Sequence, residues 1–427
     1  MTIVTTVFIV LVGLLGAGVW VGIALLATGA ISLSIFHHTP VVELLAFQVW
    51  SSLNAHELVA LPMFILMGEI LYHSRLSRDL FDGLKPWLGR LPGGLAHINV
   101  MGCALFAAVS GSSAATTATV GRMTLGELKS RGYDNSLAMG SLAGAGTLGF
   151  LIPPSIVLIL YGVLAEVSIL DLFIAGIIPG ALLTVFYMGY IALRALMDPS
   201  LTPAPDPATW ADRLGGLKLF APFIILVVMV LGSMYAGLAS PTEASVIGVA
   251  GAFLVALWQK TLNPDTIKDA LFGTIRTVSM IGLILTGALF LSKAMAFLGL
   301  PQMILEMVAS LNLSPMGLIL LLLVFFVGLG MVLDGLSLIV MALPIALPLV
   351  LAAGFDAIWF AIFLVIAVEM AQITPPVGFN LFVVQNLTGE RMGTIAKSAL
   401  PFFLILGFFA ILLAIYPQIV TWLPEAL

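Results

Sequence analysis

The sequence predicts an all-α polytopic membrane protein made of two repeated halves of opposite orientation. Three observations predict it. Charged residues are 9% of the 427 and hydrophobic ones 61%, with a mean hydropathy of +1.18, whereas a soluble chain carries about 25% charged residues. Three landmarks recur at one spacing: Gly132-Tyr133-Asp134 with Gly354-Phe355-Asp356, Pro153-Pro154 with Pro375-Pro376, and Pro179 with Pro401. The differences 354 − 132, 375 − 153 and 401 − 179 all give 222, the mark of an internal repeat. Basic residues then orient the halves, because loops rich in Lys and Arg stay cytoplasmic. Arg75, Arg78, Lys85, Arg90, Arg122, Lys129 and Arg131 map by the offset onto segments free of Lys and Arg. Lys260, Lys268, Arg276, Arg391 and Lys397 map back onto segments that are equally free of them. Equivalent loops therefore face opposite sides, which demands an odd number of crossings per half.

Five crossings per half satisfy this. The apolar start, Ile3 to Phe36, has no Lys or Arg and so lacks the basic beginning of a cleaved signal; it reads as mature structure, broken between Gly13 and Gly18 into spans at 2–17 and 19–36. The less apolar segment 38–56 reads as an interfacial arm, followed by a span at 57–74. The stretch 96–128 must enter and leave on the cytoplasmic side, as a re-entrant hairpin. Spans at 136–164 and 172–196 complete the first half, 1–197. A linker rich in Pro, Ala and Asp covers 198–216. The second half, 217–427, repeats the pattern with spans near 219–235, 244–258, 278–298, 357–385 and 398–416, an arm at 260–276 and a hairpin at 313–350. Both termini fall on the external face.

Composition also excludes functions. A formal charge of −5 without a basic run offers no stripe for tracking nucleic-acid phosphates. The single cysteine, Cys103, excludes a disulfide framework and reads as a packed apolar residue. The five histidines, His37, His38, His56, His73 and His97, all lie in the first half near predicted ends, so no His-centred relay forms at a repeat interface. No metalloprotease, nucleophile-elbow, Walker or dinucleotide motif occurs. Without a nucleotide site, transport energy must come from an ion gradient.

Two helix interruptions carry the strongest site signal. In GAGTLGFLIPPS, Gly144–Ser155, and EMAQITPPVGFN, Glu369–Asn380, paired prolines remove amide donors and clash with the preceding turn. Freed carbonyls in a membrane must find partners or line a wet cavity, and matched interruptions in two halves are how many secondary transporters build a midplane site. A simple packing kink is the rival reading. The hairpins supply the second signal. SGSSAATTAT, Ser110–Thr119, is dense in hydroxyls, although small hydroxyl residues also let helices approach closely. GMVLDGLS places Asp334 and Gly335 opposite Ser112 and Ser113 by the offset. An acid in apolar sequence costs about 2.5–3.5 kcal/mol if central, so Asp334 needs a cation, helix N-termini or a proton, with a structural salt bridge as the rival reading. Glu369, just before the second break, is a further candidate; Glu69 and Lys293 read as structural charges near span ends.

The segments FAAVSGSSAATTATVG from Phe106, GTLGFLIPPSIVLILYG from Gly146, LFIAGIIPG from Leu172, ASPTEAS from Ala239, and GFDAIWFAIFLVIAVEMAQITPPVGFNLFV from Gly354 resemble the large membrane (M) subunit of tripartite ATP-independent periplasmic (TRAP) transporters, over nearly the whole chain. The resemblance implies sodium-driven uptake of an organic anion, a carboxylate or sugar acid, across a bacterial inner membrane. It implies a soluble periplasmic binding protein and a small membrane Q subunit, expected here as a separate protein, and an elevator motion of hairpins and broken helices against a scaffold. It implies a first sodium site at Ser110, Gly111, Ser112, Ser113, Gly146, Thr147 and Pro153, and a second at Asp334, Gly335, Ser337, Thr374, Pro375 and Pro376. Substrate is expected between them, near Ser113, Thr116, Pro154, Ser155 and Asn380, with sodium as coupling ion and no other cofactor. A stand-alone sodium- or proton-coupled carrier of related fold is the main alternative; a membrane-embedded enzyme using Asp334 and Glu369, and a channel, are the others.

Overall fold

A computed structural model describes residues 2–37, 40–54, 56–203, 208–311 and 313–426. Among these, the chain forms α-helices and short 3-10 turns and no strand. The first ten helices are α1 (Thr2–Gly16), α2 (Val21–Phe36), α3 (Val41–Leu53), α4 (Ala60–Tyr72), α5 (Leu76–Leu88), α6 (Ala96–Ser110), α7 (Ser113–Ser130), α8 (Asn135–Gly146), α9 (Ile156–Ala165) and α10 (Ile169–Met197). After the linker, of which 204–207 lie outside the described residues, follow α11 (Trp210–Tyr235), α12 (Pro241–Trp258), α13 (Pro264–Phe297), α14 (Leu300–Ser310), α15 (Pro315–Gly330), α16 (Gly335–Ala352), α17 (Ala357–Gln372), α18 (Phe379–Thr388), α19 (Met392–Ile415) and α20 (Gln418–Ala426). His38 also falls outside the described residues.

Six of these helices, α10, α11, α12, α13, α16 and α19, are long and apolar enough to cross a membrane. Six of the seven tryptophans, all but Trp359, are exposed, and Trp50, Trp210 and Trp258 stand at the ends of α3, α11 and α12, as in the aromatic belts of membrane interfaces. Polar residues start many of the helices. Thr209 with Asp212, and Ser240 with Glu243, form capping boxes at α11 and α12, satisfying amides that lipid cannot.

One boundary differs from the sequence-based expectation. The arm at 260–276 and the span at 278–298 are a single 34-residue helix, α13. Asn263 caps it and Pro264 occupies its first turn, and no proline lies between the two predicted pieces to part them. At 1.5 Å per residue such a helix reaches about 50 Å, beyond the roughly 30 Å of hydrocarbon, so its charged beginning need not be a separate segment. Helices α5, α14 and α20 were not anticipated. Each is short, 13, 11 and 9 residues.

Small residues bring helix backbones together in two groups. In the first, a Cβ on Gly22 of α2 would lie 2.7 Å from the Leu283 carbonyl of α13, one on Gly83 of α5 would lie 2.7 Å from the Gly216 carbonyl of α11, and one on Gly248 of α12 would lie 2.6 Å from the Met67 sulfur of α4. In the second, Gly140 of α8 rests on the Ser398 carbonyl of α19, and Gly144 on the Phe402 ring. Such close approach is how helices gain contact where water gives no drive between them. Helix α17 lies at the centre of the second group, buried on every side from Trp359 to Gln372. Its Trp359 stacks between Phe355 and Phe363 and donates Nε1–H to the Leu413 carbonyl at 2.9 Å.

Candidate functional site

Four interruptions of regular helix meet inside the second group. The first hairpin turns at Gly111, whose φ of +57° is left-handed and favours glycine; a Cβ there would also press Ile156 N and Pro154 O at 3.1 and 3.2 Å. Ser112 then caps α7 by accepting from Ala115 N. Ser110 Oγ and Thr116 Oγ1 share a hydrogen bond of 2.6 Å. The fully buried Ser113 donates to Asn380 Oδ1 at 3.0 Å, and Asn380 Nδ2 donates to the Ala143 carbonyl at 3.4 Å. One side-chain pair thus joins the first hairpin, the end of α8 and the start of α18.

The first break runs from Gly146 to Ser155 through a cis Pro153-Pro154 bond. Gly146 lies against Thr117, and a Cβ on Gly149 would stand 2.6 Å from Ser112 O and 2.8 Å from Ser113 N. Ser155 restarts the helix, donating to Phe150 O at 2.5 Å and accepting from Leu158 N at 3.4 Å. Thr147 takes another direction. Its hydroxyl donates to Gly144 O at 2.7 Å, and its polar side-chain neighbours are Glu369 of α17 and Tyr187 of α10.

The second hairpin turns between Gly330 and Asp334. Asp334 caps α16, accepting from Leu336 N at 3.1 Å, Ser337 N at 3.2 Å and the Ser337 hydroxyl. Of the compensating partners its position required, the structure supplies a helix N-terminus. Gly335 packs on Phe150 and Val368, and Gly330 on Ala371. The second break follows: Thr374 donates to Met370 O at 2.7 Å, Pro375-Pro376 is cis, Val377 N donates to Met331 O at 3.3 Å, and Gly378, φ +49°, leads into α18.

The structure therefore brings Ser110, Gly111, Ser112, Ser113, Gly146 and Pro154 together, and sets Asp334, Gly335 and Ser337 beside the second break. The Thr147 hydroxyl is bonded within its own turn, to Gly144 O. Asp334 and Ser337 line a mostly apolar cleft of about 1180 Å³ between α1, α2 and α13 on one side and α15–α16 on the other. Arg276 and Ser279 of α13 line it too. Sequence reasoning missed Arg276 by placing it in the interfacial arm at 260–276; only the continuity of α13 reveals that it faces the cleft. Of the remaining charges, Glu69 of α4 packs its carboxyl against Gly273 of α13. Cys103 is buried in the core, and His97 is buried with Nε2 at 2.7 Å from Pro92 O.

Fold and site define a class, a multi-pass α-helical membrane permease. The family described as "Tripartite ATP-independent periplasmic transporter, DctM component" matches residues 8–419, and the chain belongs to that family of TRAP transporter large permease subunits. It is 32% identical to the C4-dicarboxylate TRAP transporter large permease protein DctM of Pseudomonas aeruginosa, over 93% of each chain. It is 30% identical to the ectoine TRAP transporter large permease protein TeaC of Halomonas elongata, over 90% of each. It is 28% identical to the sialic acid TRAP transporter permease protein SiaT of Haemophilus influenzae, covering 88% of this chain and 61% of that one. These relatives are permease subunits and not enzymes. Among solved structures, the fold is similar to the YdaH transporter of Alcanivorax borkumensis, with a TM-score of 0.56 at 17% identity over 84% of each chain.

Proposed function

We propose that this permease imports an organic anion, a carboxylate or sugar acid, with sodium, from a periplasmic binding protein and together with a small membrane subunit. The observation that carries this reading is the convergence of two hairpin tips and two proline breaks, one of each from either half, on a buried core. Hydroxyls, backbone carbonyls and the Asp334 carboxylate gather there, the oxygen ligands that hard cations take. The resemblance supports two sodium sites, one on the first hairpin and first break and one on Asp334, Gly335, Ser337 and the Thr374-Pro375-Pro376 turn, with substrate near Ser113, Thr116, Pro154, Ser155 and Asn380.

Two inverted halves, 1–197 and 217–427 joined by 198–216, account for the arrangement. Thr147 and Glu369 are repeat mates, since 369 − 147 is again 222, and they lie side by side. Repeat mates touch only near the axis that relates the halves. An elevator motion has its support in packing: helix contacts are close within each group, and the large cleft lies between α1, α2 and α13 of one and α15–α16 of the other. In this reading the chain sits in the bacterial inner membrane with both termini outside.

The test is uptake into proteoliposomes holding this chain and its small partner, with a panel of organic acids. Uptake that requires both an inward sodium gradient and the binding protein is the expected result. Uptake with sodium alone would indicate a stand-alone carrier, and single-channel conductance would overturn the reading.

A further inference from the structure

At one end of the second group a cavity of about 300 Å³ opens between the start of α8, the end of α10 and the start of α19. Ring contacts fix its walls. The Tyr190 and Phe402 centroids are 5.2 Å apart and those of Phe186 and Phe409 5.8 Å, so α10 and α19 lie side by side and run in opposite directions. Arg194, one turn beyond Tyr190, and Lys397, about a turn and a half before Phe402, therefore stand at one level, and both line the cavity. Among the described residues neither cation is in an ion pair. The nearby acids are engaged locally. Asp134, in the cavity wall, accepts from Leu137 N at 2.8 Å as the cap of α8, and Asp198 Oδ1 accepts from Ser200 N and Oγ at 3.1 and 2.5 Å. The Ser136 and Ser398 hydroxyls bond to each other at 2.8 Å, whereas the Tyr190 hydroxyl, in the same wall, has no hydrogen-bond partner among the described residues. Two cations and one carboxylate, 2 − 1, leave this cavity with one net positive charge.

Outside the cavity the helix faces are apolar. On α19, Lys397, Leu400, Leu404 and Phe408 follow at i, i+3, i+7 and i+11, which is one face of a helix, and Leu400, Leu404 and Phe408 are 52%, 60% and 58% exposed. We propose that the cavity seats the phosphate of an anionic phospholipid, held by Arg194, Lys397 and the Tyr190 hydroxyl, with an acyl chain laid along Leu400, Leu404 and Phe408. A phosphodiester carries one negative charge and so balances the cavity; Arg meets it with a fork of N–H donors and Lys as a point charge. Every helix that faces lipid is apolar, so the stripe by itself selects nothing. The cation pair framing a cavity at its head does, because basic pockets between transmembrane helices are where anionic headgroups bind. The lipid thereby braces α19 against α8 and α10. Arg131 and Arg391, which flank α7 and α19, lie near the same end, the cytoplasmic one in the orientation proposed above; only the choice of leaflet rests on that reading.

The test is thermal unfolding of the purified full-length chain in detergent. Phosphatidylglycerol is added and compared with phosphatidylcholine of the same acyl chains, and glycerol phosphate and inorganic phosphate serve as chain-free arms. A ligand of the folded state raises the midpoint by mass action. We expect phosphatidylglycerol to raise it well above phosphatidylcholine and the chain-free anions to leave it near its starting value. In R194Q/K397Q the lipid concentration for half-maximal stabilisation should rise about tenfold, as loss of hydrogen bonds between charged groups implies. K260Q/K268Q, which removes two exposed cations around the start of α13, should respond as the native chain does. Equal responses to the two lipids, a response to inorganic phosphate as large as that to phosphatidylglycerol, or the same loss in both double variants overturns the proposal. Should R194Q/K397Q not fold, native mass spectrometry of the unaltered chain decides, and equal retention of the two lipids at equal concentration is equally fatal. The measurement involves no sodium gradient, binding protein or uptake, so its failure is distinct from failure of the tripartite reading.

Discussion

Asp334 and Glu369 are both acids in apolar sequence, and their surroundings separate them. Asp334 accepts from two backbone amides and a hydroxyl at the start of α16, and hydrogen bonds to a charged group contribute about 1.5–3 kcal/mol each, enough to offset the roughly 2.5–3.5 kcal/mol that a central charge costs. Glu369 lies in the middle of α17, fully buried, and caps no helix. Close packing makes an equally sharp prediction at Gly149, where a Cβ would meet the backbone of Ser112 and Ser113 at 2.6–2.8 Å. Backbone cannot rotate aside, so Gly149→Ala should lose about 1–3 kcal/mol, read as a lower unfolding midpoint in detergent. Gly126 of α7, with nothing within 4 Å of its added Cβ, is the control: Gly126→Ala should stabilise by about 0.5–1 kcal/mol.

At the scale of elements, the same device recurs at matched positions. Ser112 caps α7 and Asp334 caps α16; Asp134 caps α8 and Asp356 caps α17. Each residue of these pairs is separated from its mate by 222 positions, so the helix after each hairpin turn and the helix before each break start under equivalent control. Helices α7 and α18 are then joined by the Ser113–Asn380 hydrogen bond. A double-mutant cycle with Ser113→Ala and Asn380→Leu should give a coupling of about 1 kcal/mol in unfolding free energy. Additive effects would mean that the two side chains lie near each other without holding the hairpin to α18.

At the scale of the molecule, α4 of the first group meets α6 of the second where a Cβ on Gly68 would stand 3.0 Å from the Val109 carbonyl. If the groups move past each other as proposed, a bulky residue there obstructs the closely packed state. Gly68→Leu should then cut uptake about tenfold, the effect of one or two kcal/mol of overpacking, while the protein still purifies folded. An unchanged uptake rate would place α4 and α6 in one rigid unit.

Much of this was readable along the chain, because each signal is local. Low charge and long apolar runs identify the solvent as lipid, since neither depends on what touches what. Pro153-Pro154 and Pro375-Pro376 break helices wherever they stand, and their shared offset of 222 is what points to a repeat. The helix breaks were legible from the same patterning, and the structure places them at 147–155 and 373–378. What the sequence could not decide depends on direction and contact. Whether 260–276 ends before 278 or runs on as α13 is settled by packing along its length, and that continuity turns Arg276 from a charge of the interfacial arm into a wall of the cleft. Thr147 sits between Gly146 and Gly149 in sequence, yet those glycines pack on the first hairpin while the threonine hydroxyl bonds back to Gly144 O. Tyr187 carried no motif at all. Composition and spacing thus determined the apolar, membrane-spanning character of the chain and its breaks, because backbone chemistry acts over a few residues; tertiary structure alone decided which side chains share a site, because that is set by helices far apart in the chain meeting through space.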